Sequence, residues 1–111
     1  MKMNVNSSTL SLLSDLIDEI HDSEFCLSEV MFNRETGEWK LYLRKAKKEP
    51  FCNLLRITGV REYTYSKDQG IEIYMIDELI IDLDKETIVL ETCQYLTLTL
   101  AVNPDFEIYL E

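Results

Sequence analysis

The chain has one histidine, His21, which stands next to Asp22 and close to a second carboxylate, Glu24. An imidazole beside a carboxylate can act as a general base that the acid orients, and the same groups can form part of a metal site. A hydrolase built on His21 and Asp22 would also need a nucleophile or a metal, and no sequence motif supplies one. We therefore expect His21 to end a helix, where it interacts favourably with the helix dipole. His21 and Asp22 are kept as candidates for a binding surface.

The densest acidic stretch covers residues 77–86, and its second half places three carboxylates at alternate positions. A calcium-binding loop also takes its oxygen ligands from alternate residues. The glycine expected at the sixth position of such a loop is Thr87 here, and the closing glutamate is replaced by Cys93. The stretch therefore predicts a solvated hairpin tip, and we expect no metal ion.

Aromatic residues are the third group with binding chemistry, since the chain has six tyrosines and one tryptophan. Aromatic side chains on a sheet often form binding surfaces, but they are also good strand formers that need no ligand. Tyr63 and Tyr65 alternate with polar residues and fall on one side of a predicted strand. We take Trp39, Tyr42, Tyr63 and Tyr65 as candidates for a binding surface.

The three cysteines, Cys26, Cys52 and Cys93, lie in strand-like runs, and none belongs to a C-x-x-C pair. An odd number argues against a secreted disulfide framework, so we expect buried free thiols. Phosphate-binding loops, nucleophile elbows and zinc-ligand spacings are absent from the sequence. We predict no catalytic residue and no cofactor, and we do not expect an enzyme.

One helix must precede the strands that position these residues. Leu13, Leu16, Ile17 and Ile20 have the spacing of one helical face, which predicts a helix over residues 8–21. Several hydroxyl side chains before Leu13 can cap its first turn. An edge strand over residues 9–13 is the alternative, and disorder is expected, if anywhere, in the polar residues 1–7.

Apolar and polar residues alternate in short runs from residue 24 to residue 111, with turn residues between the runs. The predicted runs cover residues 25–33, 39–44, 51–60, 61–66, 71–76, 79–83, 87–93, 95–102 and 106–110. They correspond to about seven to eight short antiparallel strands that form a sandwich, a half-barrel or a strongly curved sheet. The fold class is mainly β with one N-terminal helix (α+β), and the length of residues 1–111 fits a single domain.

The chain carries 11 Lys and Arg against 21 Asp and Glu, a formal net charge of −10. Nucleic acid is an unfavourable partner, because binding it depends on Lys and Arg displacing counterions. The basic run over residues 44–48 predicts a solvated loop. The N-terminus lacks the apolar core of a signal peptide, and no apolar run approaches the ~20 residues that span a membrane. We therefore expect a cytoplasmic protein without a membrane segment.

Residues 16–23, with their His-Asp pair, lead into the strand-like residues 24–32 in a way that resembles a loose group of small bacterial proteins. These proteins carry such a pair before a first strand, followed by a polar turn and alternating strands. Residues 51–60 look like their middle strand. Some members are immunity proteins of bacterial toxin systems, and many have no assigned function. The resemblance implies no catalytic residues.

These observations favour a non-enzymatic binding protein whose acidic surface steers a basic protein partner. In its sharpest form, the hypothesis is an immunity-type protein that occludes a basic toxin. A first alternative is a small-molecule carrier or an unrecognised enzyme, with tyrosines, cysteines and His21 converging on a pocket in a curved sheet. A second alternative is a structural subunit that forms a homodimer through an exposed edge strand or apolar face.

Overall fold

The computed structural model describes residues 2–45 and 53–111. Its elements are β1 (Met3–Asn6), a 3₁₀ turn (Leu10–Leu12), α1 (Leu13–Ile20), β2 (Ser23–Cys26), a second 3₁₀ turn (Leu27–Glu29), β3 (Met31–Asn33), β4 (Glu38–Lys45), β5 (Asn53–Ser66), β6 (Ile73–Asp82), β7 (Thr87–Thr92) and β8 (Thr97–Leu110). The predictions for Cys52 and for residues 46–48 of the basic run lie outside the described residues.

Six of the eight strands in the described residues close into an antiparallel barrel. They pair in the order β8, β5, β4, β2, β6 and β7, and β7 pairs again with β8. The other two strands pair at one edge only, β1 with β8 and β3 with β4. The prediction of a mainly β fold with a strongly curved antiparallel sheet is confirmed. The sandwich alternative is wrong, because the pairing of β7 with β8 closes one sheet on itself.

Side chains from alternate strand positions fill the barrel. In β8, Leu98, Leu100 and Ile108 are buried while the residues next to them are more exposed. This is the period of two that the sequence shows, since successive side chains of a strand point to opposite faces. Helix α1 adds Leu16 and Ile20 to the same core.

Three strands, β5, β6 and β8, are longer than predicted, because the sequence pattern divided each of them in two. The register of β5 against β8 shifts between Thr58 and Glu62, and that of β6 against β7 shifts between Ile76 and Glu78. Such a bulge disturbs the alternation of side chains while the backbone continues to pair. The alternating sequence pattern is therefore interrupted at positions where the strand bends but continues.

The N-terminal segment also differs from the prediction. Met3–Asn6, which fell in the segment expected to be disordered, pairs with the end of β8, and Val5 is fully buried there. The helix is shorter than residues 8–21, and a 3₁₀ turn occupies the place of the alternative edge strand. Thr9 does not cap the helix with its side chain. Its Oγ1 instead accepts a hydrogen bond from the N–H of Asn6 at 2.9 Å, at the end of β1.

The predicted strand over residues 25–33 is interrupted by the second 3₁₀ turn. Both halves, β2 and β3, run antiparallel to β4. Glu24 lies opposite Arg44, and Met31 lies opposite Lys40. The chain therefore advances by seven residues from Glu24 to Met31, whereas β4 advances by four residues over the same distance. The three extra residues are accommodated by the 3₁₀ turn, which breaks the strand at this point.

The shortest link in the barrel wall is β2, which joins β4 to β6 through two pairs on one side and three on the other. Glu24 is 3% exposed, and its Oε1 accepts a hydrogen bond from Arg44 Nε at 2.9 Å. Removing one partner of a buried ion pair leaves an uncompensated charge. The pair therefore ties β2 to β4 at the point of closure.

We expect Arg44→Met to destabilise the protein by ~3 kcal/mol, because it leaves the buried Glu24 carboxylate without its cationic partner. The double variant Glu24→Met, Arg44→Met should recover most of that loss because neither charge remains. Urea unfolding of both variants measures the two free energies. Equal losses in the single and double variants would show that the charge on Glu24 is not the cause.

Gly59 lies at the bulge of β5 with φ +77°, and a Cβ there would stand 3.0 Å from the Cα of Phe106. Gly70 has a similar φ of +69°, but a Cβ there would meet nothing within 4 Å. Gly59→Ala should therefore cost more than ~2 kcal/mol, whereas Gly70→Ala should cost only the backbone strain of about 1 kcal/mol. Thermal or urea unfolding of the two variants compares them. Equal costs would contradict a steric role for Gly59.

Candidate binding cleft

An open cleft of about 590 Å³ lies where the second 3₁₀ turn faces the end of β5 and the loop over residues 67–72. It is lined by Leu27, Ser28, Val30, Tyr63, Tyr65, Asp68, Gly70, Ile71 and Glu72. The cleft thus combines apolar and aromatic side chains with two carboxylates.

Tyr63 is the centre of an aromatic cluster beside the cleft. Its ring centroid lies 6.4 Å from that of Phe32, 5.9 Å from that of Trp39 and 6.2 Å from that of Tyr65. Trp39 is fully buried, whereas Tyr65 is 52% exposed. The cluster therefore runs from the core to the surface, with Tyr65 at its accessible end.

Two polar atoms of this cluster are buried without a hydrogen-bond partner among the described residues, namely Trp39 Nε1 and the Tyr63 hydroxyl. Burial raises the pKa of Tyr63 to about 12, with a smaller contribution from Tyr65. The hydroxyl therefore keeps its proton at neutral pH. Buried polar groups usually have a partner, so each of these two atoms costs the fold part of its stability.

The rim of the cleft is acidic. Asp68 and Glu72 line it, and none of the lining residues in the described part of the chain is a lysine or arginine. Burial raises the pKa of the Cys26 thiol, and the negative charges of Glu29 and Glu72 raise it further. Glu29 and Glu72 therefore both lie close to Cys26, and Glu29 follows Ser28, which lines the cleft.

A buried tyrosine holds the loop that carries this rim. The hydroxyl of Tyr74 donates to Asp68 Oδ1 at 2.6 Å and accepts from the N–H of Gln69 at 2.8 Å. The N–H of Gly70 also donates to Asp68 Oδ1, at 2.9 Å. These donors, the Tyr74 hydroxyl first, lower the pKa of Asp68 below its ordinary value. Tyr74 itself is fully buried and stacks on Phe25.

The structure brings together three of the six candidate residues, Trp39, Tyr63 and Tyr65. Tyr42 is 40% exposed and lies between the buried Leu41 and Leu43, so it faces the outside of β4. It shares no ring contact with the cluster among the described residues.

His21 and Asp22 also lie outside the cleft. His21 ends α1 as predicted, with Nδ1 3.4 Å from Asp22 and Nε2 3.7 Å from Asp77 of β6. Its side chain is half exposed. These exposed contacts join the end of the helix to β6 and contribute little to stability.

The prediction of buried thiols holds for Cys26, but Cys93 is exposed, because it lies just past the end of β7 in the turn to β8. Partial loss of hydration around its sulfur raises the pKa of Cys93, and the negative charges of Asp77 and Asp22 raise it further. A thiol in this environment stays protonated and is a poor nucleophile. Within residues 2–45 and 53–111, no group of three or more His, Cys, Asp or Glu side chains could hold a metal ion.

Sequence reasoning missed most of the cleft. Phe32 and Val30 were placed in a regular strand, and the 3₁₀ turn before them was not foreseen. Asp68 was assigned to a turn, and its bond to Tyr74 has no signal in the sequence. The sequence shows that Asp68 and Glu72 are acidic, but it does not predict that they line the same cleft.

Comparison of the chain with protein-family models, with curated proteins and with solved structures finds no match. The resemblance to the group that includes immunity proteins therefore stays a prediction. None of the helices in the described part of the chain combines the length and the apolar character needed to cross a membrane.

Tyr74→Phe should raise the pKa of Asp68 toward its ordinary value of 3.8, because the strongest donor to that carboxylate is lost. A lowered pKa in the folded state stabilises the fold above the ordinary value, and this stabilisation is lost as the pH falls through the lowered value. The variant should therefore unfold at lower urea concentration at pH 7, and the difference from the wild type should shrink below about pH 4.

NMR titration of the Asp68 carboxyl group and urea unfolding at both pH values measure these effects. Tyr42→Phe is the matched control, since it removes the hydroxyl of an exposed tyrosine. An unchanged Asp68 titration in Tyr74→Phe would contradict the role given to this hydrogen bond.

Proposed function

We propose that the protein is a non-enzymatic binding protein that receives a basic segment of a partner protein in the acidic, aromatic cleft. The observation that carries the proposal is the composition of the cleft, where Tyr65 and Ile71 offer exposed apolar surface beside the carboxylates of Asp68 and Glu72. A segment with both cationic and apolar side chains matches this surface. Inhibition of a basic toxin, as in immunity proteins, is the sharpest form of the proposal and is supported by the sequence resemblance alone.

The distribution of charge supports a basic partner. Each of the four arginines lies within 4 Å of a carboxylate of the chain itself: Arg34 with Glu62, Arg44 with Glu24, Arg56 with Glu38 and Glu111, and Arg61 with Glu86. By contrast, Glu29, Asp68 and Glu72 have no lysine or arginine within that distance in residues 2–45 and 53–111. Their charges remain available to an incoming cation.

The two components of the cleft have different effects on binding. Exposed carboxylates steer a basic partner and raise its association rate, and salt screens this effect. Aromatic and aliphatic side chains that become buried lengthen the life of the complex, and tyrosine is common among the residues that dominate binding energy.

The small-ligand alternative has less support. A volume of about 590 Å³ lies within the range of ligand pockets. That alternative, however, required tyrosines, cysteines and His21 to converge on one cavity. His21 and Cys93 do not line the cleft, and Cys26 is buried.

The proposal is tested with a defined probe, the acetylated and amidated heptapeptide Lys-Val-Lys-Leu-Lys-Val-Lys, titrated into the ¹⁵N-labelled protein. We expect shifts of the amide signals of the cleft residues, and weaker binding as salt rises from 0.05 to 0.5 M. The same peptide with Glu in place of Lys should not bind, because it would meet carboxylates of its own sign.

Glu29→Gln combined with Glu72→Gln should weaken binding by about fivefold, as expected for two exposed ion pairs. Asp84→Asn combined with Asp105→Asn makes the same change in net charge outside the cleft and should leave the affinity nearly unchanged. Equal effects of the two double variants would mean that net charge attracts the peptide and that the cleft does not bind it. The proposed function would then be wrong.

A further inference from the structure

One edge of β5 is open next to the cleft. β5 pairs with β8 as far as Ser66, but it pairs with β4 only as far as Ile57. The tip of the β3–β4 hairpin extends the contact a little further, because the N–H of Val60 donates to the carbonyl of Gly37 at 2.9 Å. Beyond this point, residues 62–66 have a strand neighbour on the β8 side alone, among the residues that the structure describes.

This open edge, residues 62–66, has the properties of a pairing template. In an antiparallel strand, alternate residues direct their N–H and C=O groups to opposite edges, so part of the backbone here has no strand partner. Thr64, Tyr65 and Ser66 are exposed. The register with β8 is regular from Glu62 to Ser66, and the stretch contains no proline or lysine that would block a further strand.

The open edge also borders the cleft. Tyr63 and Tyr65, which line the cleft, both belong to it. At about 3.4 Å per residue, its five residues span about 17 Å, which matches a strand of five to six residues. A chain segment that occupies the cleft therefore lies alongside backbone groups that can pair with it.

We infer that the basic segment binds as an extended strand that pairs with residues 62–66 and directs alternate side chains into the cleft. This inference rests on the proposed function and adds the binding mode to it. Main-chain hydrogen bonds then supply affinity for any extended segment, and the rim carboxylates with Tyr65 select cationic and apolar side chains.

A basic segment, and not a second copy of this chain, is the occupant that the charges favour. Two copies would each bring a net charge of −10. Like charges in contact oppose association, whereas lysine or arginine side chains neutralise the rim.

Amide hydrogen exchange, measured by NMR on the full chain with and without the lysine heptapeptide, tests the inference. In the free protein, alternate amides of residues 62–66 should exchange fast, because only the others are bonded to β8. At saturating peptide, the fast amides should slow by at least about tenfold. The same peptide with N-methyl groups on its three central amides keeps its side chains and should bind about tenfold more weakly.

The outcomes separate the inference from the proposed function. Binding at the cleft with unchanged exchange of these amides, and equal affinity for the N-methylated peptide, would overturn strand addition and leave the proposed function intact. No binding of the lysine peptide would overturn both. Slow exchange of all five amides in the free protein, with a dimer in sedimentation, would show that a second copy occupies the edge and would overturn the inference.

Discussion

The closure of the barrel depends on β2, a strand of four residues that are all buried between β4 and β6. With so few main-chain pairs, the position of β2 depends on side chains, above all on Glu24 with Arg44. A buried ion pair often adds little net stability, because both charges lose their hydration. It does penalise every register in which the carboxylate is buried without the guanidinium. We therefore regard the pair as a determinant of register at the place where the barrel could most easily open.

The cleft results from the same short strand. β2 ends at Cys26, and the three extra residues of the 3₁₀ turn break the strand before β3 begins. Leu27 and Ser28 of this turn line the cleft. Phe25, opposite Tyr74 in the pairing of β2 with β6, stacks on that tyrosine, whose hydroxyl holds the loop over residues 67–72. The contact of Phe25 with Tyr74 therefore connects β2, which closes the barrel, to the loop that lines the cleft.

Local pattern predicted the mainly β class and the end of the helix at His21, and it placed Trp39, Tyr63 and Tyr65 among the candidates. It did not predict β1, in which Met3 pairs with Leu110, a residue more than a hundred positions away in the sequence. It also could not separate Tyr42, which faces outward, from the tyrosines of the cleft. These features depend on the register between distant strands and on bulges, and neither leaves a reliable period in the sequence. His21 and Asp22 were singled out by residue type, which says nothing of the distance to a cleft.

An open strand edge usually invites self-association, and natural proteins block it with proline, lysine or a bulge. Residues 62–66 have none of these, yet they lie beside Asp68 and Glu72 in a chain of net charge −10. The net charge opposes the association of two copies, as an edge lysine does in other proteins. The same charges attract a cationic strand. In our proposal, the acidic rim therefore has two roles: it disfavours pairing between two copies of the chain at this edge, and it selects a basic segment.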